Sequence, residues 1–386
     1  MRRDGVTWVS YLSLALFTFF LNIQGNILPF LRDAFGLNYR WVTFHPAALA
    51  VGLILSGLIG ERVIAAVGRR HTISIGLLGL VVGALLIVVA TAPVVSIAGC
   101  FVMGLVGGCV LVTVPGLLVQ WHRDSSSAAL GEANAFSYAA SLLAALSTSF
   151  FLAVGIGWRG GLLLGAVLVV ALLVFARSLP LPEQAPAGAA ARGGLPMAFW
   201  FHWLALVGVV GVEQSTLVWA PAFLEGVKDA SRSIAATGGA VFSAGMLIGR
   251  MSSVPLLSRI RTMTALYGSF GLLVPAFGLY WVAQSPVLYF PGLFLLGLGT
   301  ALLYPLTLAL AIDQSGPHGN TASARASLAS GVAVLAFPVL VGTLADNFGL
   351  QIALTVLPVV GAISLACLLI GHSLGRAETT PRAGGR

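Results

Sequence analysis

The chain has 386 residues, of which 58% are hydrophobic and only 8% charged; its mean hydropathy is +0.99 and its formal net charge +8. A water-soluble domain carries roughly a quarter charged residues, so this composition excludes a soluble protein and leaves lipid as the solvent. Transmembrane barrels alternate over strands of about ten residues, whereas the apolar runs here are long and continuous. They must close their own backbone hydrogen bonds as helices, which makes this an all-α membrane protein.

Twelve transmembrane helices are predicted in chain order. The first six cover about 7–31, 42–66, 71–91, 94–119, 130–154 and 160–178. The second six cover about 197–223, 234–257, 263–283, 287–312, 324–345 and 350–372. Turn residues or charges separate them, as in Gly68-Arg69-Arg70, Gly157-Trp158-Arg159-Gly160 and Gly316-Pro317. Between the sixth and seventh spans, Leu179–Pro196 reads LPLPEQAPAGAAARGGLP. That composition supplies no core or membrane element and reads as a solvated connector. The organisation expected is a six-helix bundle over 1–178, a cytoplasmic linker over 179–196, and a six-helix bundle with a short cytoplasmic tail over 197–386. The first apolar run leads straight into further spans, so no cleaved leader is expected.

Lys and Arg in the loops set the orientation. With both termini on the cytoplasmic side, fifteen of the twenty fall inside, among them Arg2, Arg3, Arg62, Arg69, Arg70, Arg123, Arg250, Arg259 and Arg261. Arg32, Arg40, Arg159, Lys228 and Arg232 fall outside. The basic charge is therefore topological and implies no nucleic-acid partner. Cys100, Cys109 and Cys367 lie in apolar runs with neither metal nor disulfide spacing. No nucleophile–base pair, metal cluster or nucleotide loop is present, so the expectation is a non-enzyme without cofactors.

The two halves repeat at an offset close to 190 residues. Gly57-Leu58-Ile59-Gly60 ends the second span as Gly245 to Arg250 ends the eighth, and Gly107 to Pro115 matches Gly297 to Pro305. Two six-span halves of the same direction form a parallel repeat about an axis along the membrane normal, and such repeats rock around a midplane site.

On these features the chain resembles the major facilitator superfamily. Gly57, Gly60, Glu61, Arg62, Gly68, Arg69 and Arg70 are similar to that superfamily's gating loop, although the acid expected beside the loop's second glycine falls near Ala65. Gly157-Trp158-Arg159 and Ala345 to Gly349 are also similar. Asn22 to Phe35 and Gly211-Val212-Glu213-Gln214 with Trp219 resemble fucose and hexose proton symporters, while Val110 stands where those carry an acid in the fourth span. The fifth span lacks the Gly-Pro pattern of drug–proton antiporters. The resemblance implies an inner-membrane secondary transporter working by alternating access, with a small-molecule substrate, protons and the lipid bilayer as partners, and a monomer.

Ionisable and polar residues inside spans are functional candidates, because their burial in lipid is costly. Glu213 is the only acid well inside a span and is the candidate for proton coupling or substrate binding; a structural role is the alternative. Asn22 and Asn26, spaced i and i+4, share a face of the first helix from which Gln24 turns away. Asn134, Tyr138 and Ser141 form a stripe on the fifth. With Gln214, Trp219 and Tyr304, these make the candidate substrate site, against a plain reading as interhelical packing or aromatic belt. Glu132 is expected to cap or salt-bridge at the interface, and His45 to be solvated at the outer start of the second span. Trp158, Trp200, Trp203 and Trp281 read as belt residues. Two other functions remain open: export of amphipathic or drug-like compounds, and a non-transporting sensor or scaffold.

Overall fold

The computed structural model describes residues 3–177, 195–315 and 319–379; most of the connector predicted at 179–196 lies outside them. Among the described residues, eleven segments are long and apolar enough to cross a membrane. One of them supplies two crossings. The continuous stretch Phe44–Val89 holds 46 residues and turns out of helical geometry at Gly68, φ 76° and ψ 161°. As one helix it would run about 69 Å at ~1.5 Å per residue, more than twice the ~30 Å of hydrocarbon. Its two arms are the predicted second and third spans. Glycine fits this corner because φ there is positive.

The other spans follow the hydropathy. They are Gly5–Phe35, Ser126–Ala153, Arg159–Ala176, Met197–Gly226, Arg232–Met251, Thr262–Val282 and Gly319–Phe348. The fourth is broken into Pro93–Leu105 and Gly108–His122, the tenth into Pro286–Thr300 and Leu303–Asp313, and the twelfth into Leu350–Ala353 and Val356–Thr379. The tenth breaks where Pro305 removes the donor to the Ala301 carbonyl. The fourth breaks at a Gly pair, where a Cβ on Gly107 would lie 2.2 Å from the Met103 carbonyl.

Within the first half, small residues let the helices close up. A Cβ added at Gly104 would sit 2.0 Å from the Leu49 carbonyl, and one at Gly52 would sit 2.5 Å from the Leu105 amide nitrogen. The second and fourth spans therefore cross almost backbone to backbone.

Three pairs of spans carry most of the contact between the halves: first with seventh, fifth with eighth, and eleventh with second. Under the repeat, the fifth–eighth pair maps onto the eleventh–second pair and the first–seventh pair onto itself. The tightest point is the first–seventh crossing, where a Cβ on Gly25 would fall 2.1 Å from the Leu217 carbonyl and 2.9 Å from Val218 Cα. Pro29 and Pro221 lie inside their helices, each four residues beyond one of these two positions. Proline has no N–H, so both carbonyls at the crossing lack their helical donor.

Gly104→Ala is expected to destabilise the protein by about 1–3 kcal/mol, the usual cost of overpacking. Gly268→Ala, where an added Cβ meets nothing within 4 Å, is expected to be neutral or slightly stabilising. Thermal unfolding of the purified variants in detergent measures both; equal melting temperatures would refute the close-crossing argument.

Candidate functional site

The fifth–eighth seam is polar and the second–eleventh seam is largely apolar. On the polar side, the Tyr138 hydroxyl donates to Glu213 Oε1 at 3.2 Å. The Arg250 guanidinium lies 4.4 Å from the centre of the same Tyr138 ring. Glu213 comes from the seventh span, Tyr138 from the fifth and Arg250 from the eighth, so one tyrosine from the first half touches an acid and a base of the second. Among the described residues no ion pair joins Glu213 to Arg250; Tyr138 keeps them apart.

One layer further on, Asn22 Nδ2 donates to Ser141 Oγ at 2.9 Å, and Ser141 Oγ meets Ser243 Oγ at 2.8 Å. The i, i+4 face predicted for the first helix thus points into the seam: Asn26 abuts Gly239 of the eighth span, its Oδ1 3.3 Å from where a Cβ would stand. The Oδ1 atoms of Asn22 and Asn26 are buried without a hydrogen-bond partner. Gln24 turns to the fourth span, hydrogen-bonded with Met103 and Cys100.

On the apolar side, Ala50 packs with Val210, Ala333 and Val334, and half-buried Tyr304 packs on that cluster. Tyr304 also lies within electrostatic reach of Tyr138. Gln214 is buried beside Glu213 in the same helix. Asn134 is exposed and turns its amide to the Leu130 carbonyl at 2.9 Å, one turn back on its own helix.

At the end of the bundle away from the described N-terminus, here the distal end, a second set of contacts ties the halves. Asp346 accepts from the backbone N–H of Tyr39 and of Arg40, both at 2.8 Å. These amides open the short helix Tyr39–Val42, so a carboxylate from the second half caps a helix N-terminus of the first. Arg232 pairs with Asp33 across the halves and with Glu225 at 2.8 Å within its own. Arg32 stacks over Tyr39 at 4.7 Å. Ser149 Oγ donates to the Ser233 carbonyl at 2.6 Å.

Several sequence-based expectations need correction. Trp219 is not a belt residue: it is 1% exposed and meets Tyr39 edge-on at 5.7 Å, inside the distal plug beside Gly342. His45 is not solvated; it is fully buried, with Nδ1 2.8 Å from the Val42 carbonyl and Nε2 2.8 Å from Ser96 Oγ. Trp158 is buried and stacked on Phe30. Lys228, read as a loop cation, donates to the Trp281 carbonyl at 2.7 Å, and burial pushes its ammonium below the ordinary lysine range. Glu132 pairs with Arg3 at 2.8 Å, a surface ion pair of the expected kind.

In the loop after the second span, Gly57 faces open space, Gly60 packs on Val112, and Glu61 and Arg62 are exposed. Gly68 makes the corner, Arg69 is buried and donates to Gln120, and Arg70 donates to the Arg177 carbonyl. Both arginine contacts stay within the first half.

Long apolar helices packed around a polar seam define a polytopic membrane protein. The chain belongs to the Major Facilitator Superfamily, a family of non-enzymatic transporters whose sequence profile matches residues 10–289 and 229–385. It is 23% identical over 365 residues to an uncharacterised MFS-type transporter of Yersinia pestis, covering 92% of this chain and 90% of that one. Its fold resembles a D-xylose–proton symporter at TM-score 0.75 and 15% identity, over 95% of this chain and 96% of that one. It also resembles the E. coli fucose:proton symporter at TM-score 0.63 and 16% identity, over 98% and 100%.

Asp346→Ala is expected to weaken distal closure by about 1 kcal/mol, roughly fivefold in population, as the loss of two exposed charge-assisted hydrogen bonds implies. Distances between spin labels at positions 34 and 348 report it. An unchanged distribution would show that Asp346 does not hold this end shut.

Proposed function

We propose that this protein is a secondary active transporter of the cytoplasmic (inner) membrane that moves a small polar organic solute by alternating access, with a proton carried on Glu213. The single observation behind this reading is the Tyr138–Glu213 hydrogen bond across the seam. A carboxyl group there feels both the state of the seam and its own proton. Protonated, it can donate or accept; ionised, it only accepts. When the halves part on this side, Tyr138 leaves, and Glu213 must find water, solute or a proton. That exchange is what ties proton binding to conformation.

The contacts between the halves are concentrated at the Tyr138–Glu213 level and toward the distal end: Ser141–Ser243, Ser149–Ser233, Asp33–Arg232 and Asp346 on residues 39 and 40. This supports a conformer closed distally. The loop-charge bias supports a cytoplasmic location for the other end, so the conformer faces inward. The solute site is read as the layer formed by Asn22, Asn26, Ser141, Ser243 and Gln214 around Glu213, with Tyr304 at its edge. Trp219 and the Asp346 contacts make up the outer gate. Charged and amide groups along the seam favour a polar solute over an amphipathic one.

Two experiments test this. Glu213→Gln keeps the shape and most hydrogen bonds but has no titratable proton. In proteoliposomes it is expected to abolish pH-driven accumulation while solute exchange at equal pH survives. Full pH-driven uptake by this variant would remove Glu213 from coupling. For orientation, the exposed Arg62 is the site to probe, because buried Arg69 would resist any reagent. Cysteine at position 62 is expected to resist impermeant maleimide in intact cells and to react in inside-out vesicles; reaction in intact cells would invert the topology.

A further inference from the structure

The seam holds one charge that the transport reading has not used. Arg250 lies within the helix Arg232–Met251, on the face that meets the fifth span. Its guanidinium rests on the Tyr138 ring, its Nε is buried without a hydrogen-bond partner, and no carboxylate pairs with it among the described residues. The contrast with Arg232 at the other end of the same helix is direct: that arginine has both Glu225 and Asp33.

Arginine stays charged in proteins, and a half-buried cation without a counter-charge is costly. A ring face recovers part of that cost; an oxyanion recovers more, because the guanidinium fork matches a carboxylate or phosphate in two parallel hydrogen bonds. The acid bound to the same tyrosine is Glu213. Its carboxyl stands on the hydroxyl of the same tyrosine, within electrostatic range of Arg250 but not in contact with it.

The geometry points to a small organic anion as the transported solute, with its carboxylate or phosphate group bound by Arg250. This rests on the carrier reading above and names its substrate class. The charge arithmetic couples anion to proton. With Glu213 protonated, the pair Glu213–Arg250 carries one net positive charge, and a monoanion brings the seam to neutrality. With Glu213 ionised, the pair is already neutral and an arriving anion would meet the carboxylate. Anion and proton therefore bind cooperatively, and by linkage each raises the affinity for the other. Tyr138 is the positioning residue: it holds acid and base apart, so that Glu213 does not itself occupy the guanidinium.

The test uses the purified full-length protein and solutes that differ only in charge: C2–C6 monocarboxylates against their amides, and phosphate monoesters against their alcohols, with sugars, nucleosides and amines completing the panel. Binding is read by thermal stabilisation, transport by the lumenal pH of dye-loaded proteoliposomes under a solute gradient, and net charge movement by solid-supported-membrane currents. An anion is expected to bind at least tenfold more tightly than its neutral partner. Arg250→Gln is expected to erase that difference and Arg250→Lys to retain part of it. The amide comparison on wild-type protein stands even if the variants fold poorly. The current separates the two sources of oxyanion: a monocarboxylate moving with one proton carries no net charge, whereas a phosphate dianion with one proton carries net negative charge. Binding and electrogenic proton-driven uptake confined to neutral or cationic solutes would overturn the anion assignment and leave the carrier intact. No gradient-driven movement of any panel member would count against both.

Discussion

The distance between the two halves is fixed by a contact with no side chain in it. At Gly25 and Leu217 the first and seventh helices meet backbone to backbone, and Pro221 frees the Leu217 carbonyl that faces Gly25. An oxygen that has lost its helical donor needs close positive hydrogens, and a glycine Cα offers them as weak donors. The cross-half hydrogen bonds of the neighbouring fifth–eighth seam form beside it. Ser141 reaches Ser243, and Tyr138 reaches Glu213, across a gap that this close approach keeps narrow.

Around this crossing the two seams are equivalent in topology but not in chemistry. The eleventh–second seam presents Ala333, Val334 and Ala50, so its contact buries no charge. The fifth–eighth seam presents Tyr138, Ser141, Ser243 and Arg250. The costly polar groups are thus concentrated on one side, where the seventh helix supplies Glu213. Concentrating them lets one tyrosine report on both charges.

The sequence made the spans legible because lipid leaves the chain so few options. The face of Asn22 and Asn26 was legible for a related reason, since two amides one turn apart on an apolar helix must find partners together. Glu213 stood out as the one acid deep in a span. Arg250 did not, because near a helix end an arginine looks like any other topological cation; the ring it lies on belongs to a residue 112 positions away in sequence, a pairing that only packing reveals. His45 was misread for the same reason: its partner Ser96 sits on another helix. Trp158 and Trp219 read as belt or platform residues because position along a span shows depth, not which neighbour covers the ring. Gly68 shows the converse case, where a turn residue was easy to read yet the helices flanking it run on without a loop.

The distal contact of Asp346 has an evolutionary consequence. Its carboxylate grips the amides of residues 39 and 40, and every amino acid except proline supplies an amide. Positions 39 and 40 are therefore free to drift as far as this bond is concerned, while 346 is held. A comparison of related sequences that looks for paired changes would find no partner for Asp346 and would miss the contact. The interaction is written in only one of the two segments it joins.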